Sequence, residues 1–230
     1  MGSFVELTAV DGAKIPAWVA MPEGKPRGAI VVVQEIFGVN THIRAVAERY
    51  AAQGYVAVAP AMFARVQPDV DLGYTEDDMK QGFALKAAVE AMPEPGAVVD
   101  ISAAVALAAT LVPGGKIGVV GFCWGGLLTW RAACNLSSIS AAVCYYGGGM
   151  TSELEASRQA LCPVMAHFGR KDHYISVESV QAFEKAQPKV EVFLYEADHG
   201  FNCDLRGSYD AAASQLANER TLGFFATHLG

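Results

Sequence analysis

A cysteine at position 123 has the sequence surroundings of a catalytic nucleophile. The segment Gly121-Phe122-Cys123-Trp124-Gly125-Gly126 follows an apolar run at 116–120 and precedes a helical pattern that begins near Leu127. A strand, a tight turn and a helix in this order form the G-x-S-x-G nucleophile elbow, here with cysteine in place of serine. The helix N-terminus would favour a thiolate and later an oxyanion. The alternative is a buried small thiol in an ordinary β–α turn, which is common for free cysteine.

The remainder of the chain predicts strands and helices in alternation. A hairpin at 4–9 and 15–21 turns at Asp11-Gly12, residues 60–75 read as a loop, and Pro93-Glu94-Pro95-Gly96 separates two helices. The further predicted strands are 29–33, 55–59, 116–120, 140–146, 163–168 and 190–195, and the predicted helices are 41–53, 76–91, 97–111, one after the cysteine, 177–187 and 208–228. This alternation predicts one α/β domain over residues 1–230, with a mostly parallel, doubly wound sheet and an antiparallel N-terminal edge.

Composition and charge narrow the class of protein. The 230 residues are 52% apolar and 18% charged, as expected of a globular chain. The net charge of −7 argues against nucleic acid or an anionic membrane surface as a partner. We expect neither a membrane span nor a secretory signal, because no long apolar run and no basic-then-apolar start is present.

The cysteines favour a reducing compartment. They are five in number, scattered and without a C-x-x-C pair: Cys123, Cys134, Cys144, Cys162 and Cys203. This pattern argues against a disulfide framework and against a zinc site. We therefore expect a cytoplasmic protein in which four of the five are core or near-surface thiols.

Four polar residues come shortly after predicted strands. They are Glu35, Cys123, Asp172 and His199. Parallel sheets gather their working residues beyond the carboxyl ends of the strands, so these four are expected to meet. The chain order of nucleophile, acid and histidine is that of the α/β-hydrolase triad. His199 would hold or remove the thiol proton, and Asp172 would fix the tautomer and orientation of the imidazole.

The other titratable residues are weaker candidates. Asp198 adjoins His199, but neighbouring side chains in extended chain point apart, so Asp172 is the better partner. The remaining histidines are expected outside the triad: His173 at the rim, His167 in the core, and His42 and His228 on solvated helix faces.

Glu35 is the unusual member of the four. A carboxylate at the end of a buried strand is costly unless it is paired. From the residues alone, a loop-fixing or helix-capping role explains it as well as a catalytic one. The same loop is where this arrangement places an oxyanion donor, so the predicted donors are the backbone N–H groups of Ile36 and Trp124.

Several motifs together resemble the dienelactone hydrolase family over essentially the whole chain. They are Gln34-Glu35-Ile36-Phe37-Gly38-Val39-Asn40, Gly121-Phe122-Cys123-Trp124-Gly125-Gly126, Tyr145-Tyr146-Gly147, Asp172-His173 and Ala217-Asn218-Glu219-Arg220-Thr221. The resemblance implies an α/β-hydrolase fold and a cysteine hydrolase that opens 4-carboxymethylenebut-2-en-4-olide to maleylacetate. It also implies that Cys123, Asp172 and His199 form the triad. In the family, the glutamate at position 35 takes the thiol proton when an anionic substrate displaces it.

The chain departs from the family pattern where the substrate carboxylate is bound. The family has an arginine in the helix after the long loop, where Lys80 is the nearby cation here. A second arginine follows the histidine, and here Arg206 comes three residues later, while Gly200 replaces a serine. Lysine offers a point charge where arginine offers a bidentate fork, so substrate recognition is expected to differ.

The site is expected to be open. Only 16 residues separate Tyr146 from Pro163, too few for a cap domain. The expected borders are the loop at 60–75 together with Phe37, Lys80, Phe83, Trp124 and Tyr145, and Arg206 is a further substrate-binding candidate.

The sequence thus predicts a monomeric cysteine hydrolase of small, anionic lactones or activated esters. No metal or organic cofactor is expected, because there is no phosphate-binding glycine loop and no clustered set of histidines and carboxylates. Two alternatives stay open. One is a general carboxylesterase or thioesterase, and the other is a redox-sensing or ligand-binding protein on the same fold.

Overall fold

The computed structural model describes residues 2–93 and 96–230, and these form eight strands and seven helices. The strands are β1 (Ser3–Thr8), β2 (Lys14–Ala20), β3 (Gly28–Val33), β4 (Tyr55–Pro60), β5 (Ile117–Phe122), β6 (Ala141–Tyr145), β7 (Val164–Gly169) and β8 (Val190–Tyr195). The helices are α1 (Thr41–Ala52), α2 (Glu76–Glu90), α3 (Val98–Leu111), α4 (Trp124–Asn135), α5 (Glu153–Ala156), α6 (Val177–Ala186) and α7 (Ala211–Leu229).

The eight strands form one sheet in the order β1-β2-β4-β3-β5-β6-β7-β8. β2 pairs antiparallel with β1 and with β4, and every pair from β4 to β8 is parallel. β3 to β7 are buried along their whole length, which explains why their sequences are continuous apolar runs. The sheet confirms the predicted α/β class, with its antiparallel N-terminal edge.

Helices cover both faces of this sheet. On one face α3 contacts β3 and β4, and α4 contacts β5 and β6. On the other face α1 and α7 meet, with the rings of Tyr50 and Phe225 at a centroid distance of 6.1 Å. The parallel strands therefore deliver their carboxyl ends to a single edge, where the loops after β3, β5, β7 and β8 gather. None of the described helices is long and apolar enough to cross a membrane.

The element boundaries differ from the sequence prediction in a few places. α7 begins at Ala211 and not at 208, because the Asp210 carboxylate accepts a hydrogen bond from the Ala213 N–H and caps the helix. α5 was not predicted, since four residues are too short to display a helical period. It is the single helix in the β6–β7 connection, so those described residues build no cap domain. In the predicted break at 93–96, Glu94 and Pro95 lie outside the described residues.

Candidate active site

Cys123 occupies the turn between β5 and α4 in a strained conformation. Its φ of 55° and ψ of −120° lie in a region that residues with a Cβ rarely adopt. Close packing requires the flanking glycines, since a Cβ at Gly121 would overlap the Gly125 carbonyl and one at Gly125 would overlap the Gln34 carbonyl. Because α4 begins at Trp124, its N-terminal amides and dipole lie directly beneath the thiol. This is the geometry of a nucleophile elbow.

His199 and Asp172 form a buried pair at the ends of β8 and β7. The His199 Nδ1 and Asp172 Oδ2 atoms are 2.7 Å apart, and the Asp172 side chain is fully buried. The other carboxylate oxygen accepts hydrogen bonds from the N–H groups of Tyr174 at 2.8 Å and Ile175 at 3.2 Å. The carboxylate is therefore held rigidly, and it fixes the orientation of the imidazole.

The electrostatic surroundings favour the protonated form of His199. Burial by itself would lower its pKa, but the nearby Cys123, together with the charge of Asp172 and the hydrogen bond to it, raises the pKa to about 10. An imidazole whose pKa is raised this far is a strong base towards a nearby thiol.

Glu35 is buried in the loop after β3, and two other groups hold it. Arg206 donates from Nη1 to Glu35 Oε1 at 3.1 Å, and the Tyr74 hydroxyl donates to Oε2 at 3.3 Å. The Glu35 side chain is 1% exposed, so the contact with Arg206 supplies the pairing that a buried carboxylate requires. A Cβ at Gly200 would lie 2.5 Å from Arg206 Nη1, so the glycine at position 200 leaves room for the guanidinium group of Arg206.

The two expected oxyanion donors are available. Among the loop and turn hydrogen bonds of the described residues, neither the Ile36 nor the Trp124 N–H donates. Ile36 is held in place by α2, which approaches so closely at Gly82 that a Cβ there would overlap the Ile36 carbonyl. The Trp124 indole is fixed as well, because it stacks on Phe63 at 5.2 Å and donates to Glu90 at 3.0 Å.

A cleft of about 220 Å³ opens at Cys123 and His199. Its further lining residues are Ile36, Phe37, Met79, Phe83, Lys86, Trp124, Gly148, Gly149, Tyr174 and Arg206. Most of this wall is apolar, with the cations Lys86 and Arg206 as its charged side chains. The size suits a small substrate, since it lies below the range of about 300–1,000 Å³ that is usual for drug-sized ligands.

The structure does not place Lys80 or Tyr145 in this cleft. Lys80 is exposed on α2 and pairs with Asp77 at 3.0 Å. Lys86 reaches the cleft from the same helix instead, six residues and therefore nearly two turns later. The Tyr145 hydroxyl lies 2.7 Å from Thr221 Oγ1 in the core.

Tyr146, the next residue, packs against His199 without lining the cleft. Successive side chains of a strand point to opposite faces, so a one-residue shift reverses the side. The Tyr146 ring lies 5.1 Å from that of His199, and its φ of 36° marks backbone strain. Its buried hydroxyl has no hydrogen-bond partner among the described residues.

The other histidines separate into core, surface and one unexpected site. His167 is a satisfied core residue, as predicted, with Tyr195 at 2.8 Å and Thr221 at 3.0 Å. His173 is exposed, and His228 is half-buried against Phe224.

The prediction of a solvated His42 is wrong. The side chain is fully buried, because the face of α1 that carries it turns towards the sheet. One nitrogen of its ring lies in a buried group with Glu35 and Cys203, whose ligand atoms are all within 4.8 Å of one another. These three side chains come from the loop after β3, from α1 and from the loop after β8, so no spacing along the chain indicates the cluster. It is the group of described residues that can hold a metal ion.

A nucleophile elbow and a carboxylate-supported histidine at the carboxyl edge of this sheet define an α/β-hydrolase. The family model described as "Dienelactone hydrolase family" matches residues 15–229. The chain belongs to this family. It is therefore a carboxylic-ester hydrolase, and its family acts on small esters or lactones.

Relatives and solved structures agree with this assignment. The chain is 34% identical to the "Carboxymethylenebutenolidase" of Pseudomonas putida over 227 residues, which cover 96% of this chain and 95% of the relative. It is 36% identical over 215 residues to the "Putative carboxymethylenebutenolidase" of Synechocystis sp., covering 87% and 86%. The crystal structure of "Putative Dienelactone Hydrolase" from Klebsiella pneumoniae superposes with a TM-score of 0.84 at 29% identity and covers 98% of both chains.

Proposed function

We propose that this protein is a cysteine hydrolase that opens small anionic lactones, with dienelactone as the leading substrate and maleylacetate as its product. The observation that carries the proposal is the 2.7 Å contact between His199 and the buried Asp172, next to a thiol on a strained elbow. A triad of Cys123, His199 and Asp172 follows from it.

In the first half of the reaction, the Cys123 thiolate attacks the lactone carbonyl carbon. The N–H groups of Ile36 and Trp124 stabilise the negative charge on the carbonyl oxygen. The carbon–oxygen bond of the ring then breaks, and the leaving group departs as an enolate. The enolate takes the proton of the His199 imidazolium and becomes the keto form, which leaves His199 neutral. The acyl group stays on sulfur as a thioester.

In the second half, His199 takes a proton from a water molecule that attacks the thioester. The carbon–sulfur bond breaks, and Cys123 leaves as the thiolate. Asp172 stabilises the imidazolium that forms at His199, as its contact with Nδ1 suggests.

Glu35 has a role that depends on substrate charge. A substrate carboxylate competes with Glu35 for Arg206, which bridges Glu35 and the cleft. Released from that pair, Glu35 accepts the proton of Cys123 in molecules where the thiol is still protonated. The thiolate is then generated as substrate arrives.

Arg206 and Lys86 bind the negative charge of the substrate. Both line the cleft, so both can pair with a substrate carboxylate. The names of the Pseudomonas putida and Synechocystis relatives support a carboxylate-bearing lactone.

Hydrolysis of dienelactone and of its methyl ester tests the proposal. The neutral ester should react about 10–100-fold more slowly in kcat/KM, because a hydrogen-bonded charge pair of about 1.5–3 kcal/mol is lost. Equal rates would instead favour a general esterase. Cys123→Ala should remove turnover of both compounds, and retained hydrolysis would overturn the triad.

Lys86→Met and Lys80→Met form a matched pair on one helix. The first should raise KM for dienelactone up to about fivefold, because a partly exposed charge pair contributes at most about 1 kcal/mol to binding. The second should leave KM unchanged, because Lys80 faces Asp77 in solvent. The ratio of the two KM values decides which lysine serves the cleft.

A further inference from the structure

A second set of cysteine, histidine and aspartate lies around Glu35. It consists of Cys203, His42 and Asp204, and the first two are buried with Glu35 in the cluster described above. None of the three has a part in the proposed hydrolysis.

The ring of His42 is oriented as a ligand. Its Nδ1 lies 3.3 Å from Asp204 Oδ1, so a proton on Nδ1 is donated to that carboxylate. The opposite nitrogen, Nε2, then carries a lone pair. Nε2 is buried and has no hydrogen-bond partner among the described residues, which is a costly arrangement for an imidazole nitrogen. A carboxylate behind a metal-bound histidine is the usual support of such ligands.

The donors around Nε2 have the chemistry of a zinc site. Glu35 offers a carboxylate oxygen, Cys203 a thiol sulfur and His42 an imidazole nitrogen. Three ligands of these types with a fourth position left for water match the mixed nitrogen, sulfur and oxygen coordination of Zn²⁺. We propose that Glu35, His42 and Cys203 bind a zinc ion through Glu35 Oε2, His42 Nε2 and Cys203 Sγ.

The charges balance when the ion enters. Zn²⁺ displaces the thiol proton of Cys203 to solvent, so the carboxylate and the thiolate together offset its two positive charges. Arg206 keeps its contact with Glu35 Oε1, so the ion takes the other carboxylate oxygen. The Tyr74 hydroxyl, which contacts Glu35 Oε2 and Cys203 Sγ at 3.3 Å each, must turn away to make room.

Zinc binding would also regulate the active site. This consequence rests on the proposed function, because it requires that Glu35 take the thiol proton during turnover. A zinc ion holds that carboxylate and therefore slows hydrolysis in the wild type but not in Cys203→Ser.

The test is metal binding by the full chain, measured without reference to activity. Zn²⁺ is titrated against a chromogenic chelator, and Co²⁺ serves as a probe because a thiolate ligand produces a charge-transfer absorption. Cys123→Ser is included because Cys123 and His199 are another thiol and imidazole that can bind metal. Cys162→Ser, which changes a half-buried thiol outside the cluster, is the matched control for Cys203→Ser. Far-UV circular dichroism checks that each variant folds.

We expect about one equivalent of metal and the cobalt–thiolate band in the wild type, Cys123→Ser and Cys162→Ser. Cys203→Ser should abolish the band, and His42→Gln should weaken binding at least 100-fold. Asp204→Asn, an exposed and therefore structurally mild change, should weaken binding by about 10–100-fold. No binding by the wild type, or a band lost in Cys123→Ser and kept in Cys203→Ser, would overturn the proposal. Binding without inhibition would contradict the role of Glu35 and leave the zinc site standing.

Discussion

The protein contains two groups of cysteine, histidine and aspartate, and their environments are opposite. In the group of Cys123, the aspartate is fully buried and lies 2.7 Å from the histidine. In the group of Cys203, the aspartate is 52% exposed and lies 3.3 Å away. The same three residue types therefore occur twice, in two different environments.

The difference appears in the protonation of the side chains. The charges of Cys123 and Asp172 outweigh burial and raise the pKa of His199. At His42 burial is the larger effect and lowers the pKa, because the negative charges of Glu35 and the exposed Asp204 offset it only in part. Burial and the neighbouring Glu35 also raise the pKa of Cys203 to about 11. The residue types alone therefore do not set the protonation of the histidine; the burial and hydrogen bonds of the carboxylate beside it do.

Exchanging each aspartate for asparagine should separate the two groups most strongly. Asp172→Asn should lower kcat by about 10³–10⁴-fold, because the amide favours the wrong imidazole tautomer. Asp204→Asn should cost at most about fivefold, since an exposed pair is worth about 1 kcal/mol or less. Steady-state kinetics on dienelactone measure both, and similar losses in the two variants would contradict the distinction.

Alkylation should discriminate between the two thiols. Iodoacetamide at neutral pH should modify Cys123 at least about 100-fold faster than Cys203, because Cys203 is buried and reacts only through local opening. Peptide mass spectrometry over time gives both rates. In urea the two alkylation rates should converge. Fast alkylation of Cys203 in the native protein would contradict the distinction between the two thiols.

The pH profile should report the raised pKa of His199. The imidazolium persists to a pKa of about 10, so kcat/KM should not decline between about pH 7 and 9. Asp172→Asn removes one cause of the raised pKa and should move the alkaline limb to lower pH. An alkaline limb near pH 6.5 in the wild type would mean that the thiolate–imidazolium pair does not form.

Stability in acid should depend on the neutral core histidine. Burial and the charge of Arg220 lower the pKa of His167 to about 3, well below the 6.5 of an unfolded histidine. Between these values the unfolded state binds the extra proton, so the stabilisation present above pH 6.5 is lost as pH falls towards 3.

The slope is at most about 1.4 kcal/mol per pH unit for this residue. Urea midpoints of the wild type and His167→Gln between about pH 4.5 and 7.5 measure it. The variant should be less stable at pH 7.5, with a smaller loss on acidification. Parallel curves would assign the acid lability to other groups, of which His42 is one because its pKa is also lowered.

The fold was predictable because its signals are local. Buried strands read as continuous apolar runs, and the helices between them carry recognisable ends, so the parallel sheet and its antiparallel edge followed. The positions of Cys123, Asp172 and His199 followed from the rule that parallel strands end at one edge. The structure brings these three side chains together as expected, and steady-state kinetics of their variants tests the catalytic roles that we propose for them.

The errors have a common physical origin. A helix turns 100° per residue and a strand reverses sides at every residue, so a small positional error exchanges cleft for solvent or core. Lys80 and Tyr145 were misplaced in this way; Lys86 lines the cleft, and Tyr146 packs against His199. The side of α1 that carries His42 was misjudged for the same reason.

The sequence by itself determined the order of elements, the elbow at Cys123 and the family, because each depends on residues close together in the chain. Only the tertiary structure decided which partners Glu35 has. Arg206, Tyr74, His42 and Cys203 approach it from three separate segments, and burial then makes each charge sensitive to the others. Long-range contacts of this kind leave no spacing in a single sequence, since they arise only when packed elements close around the same point.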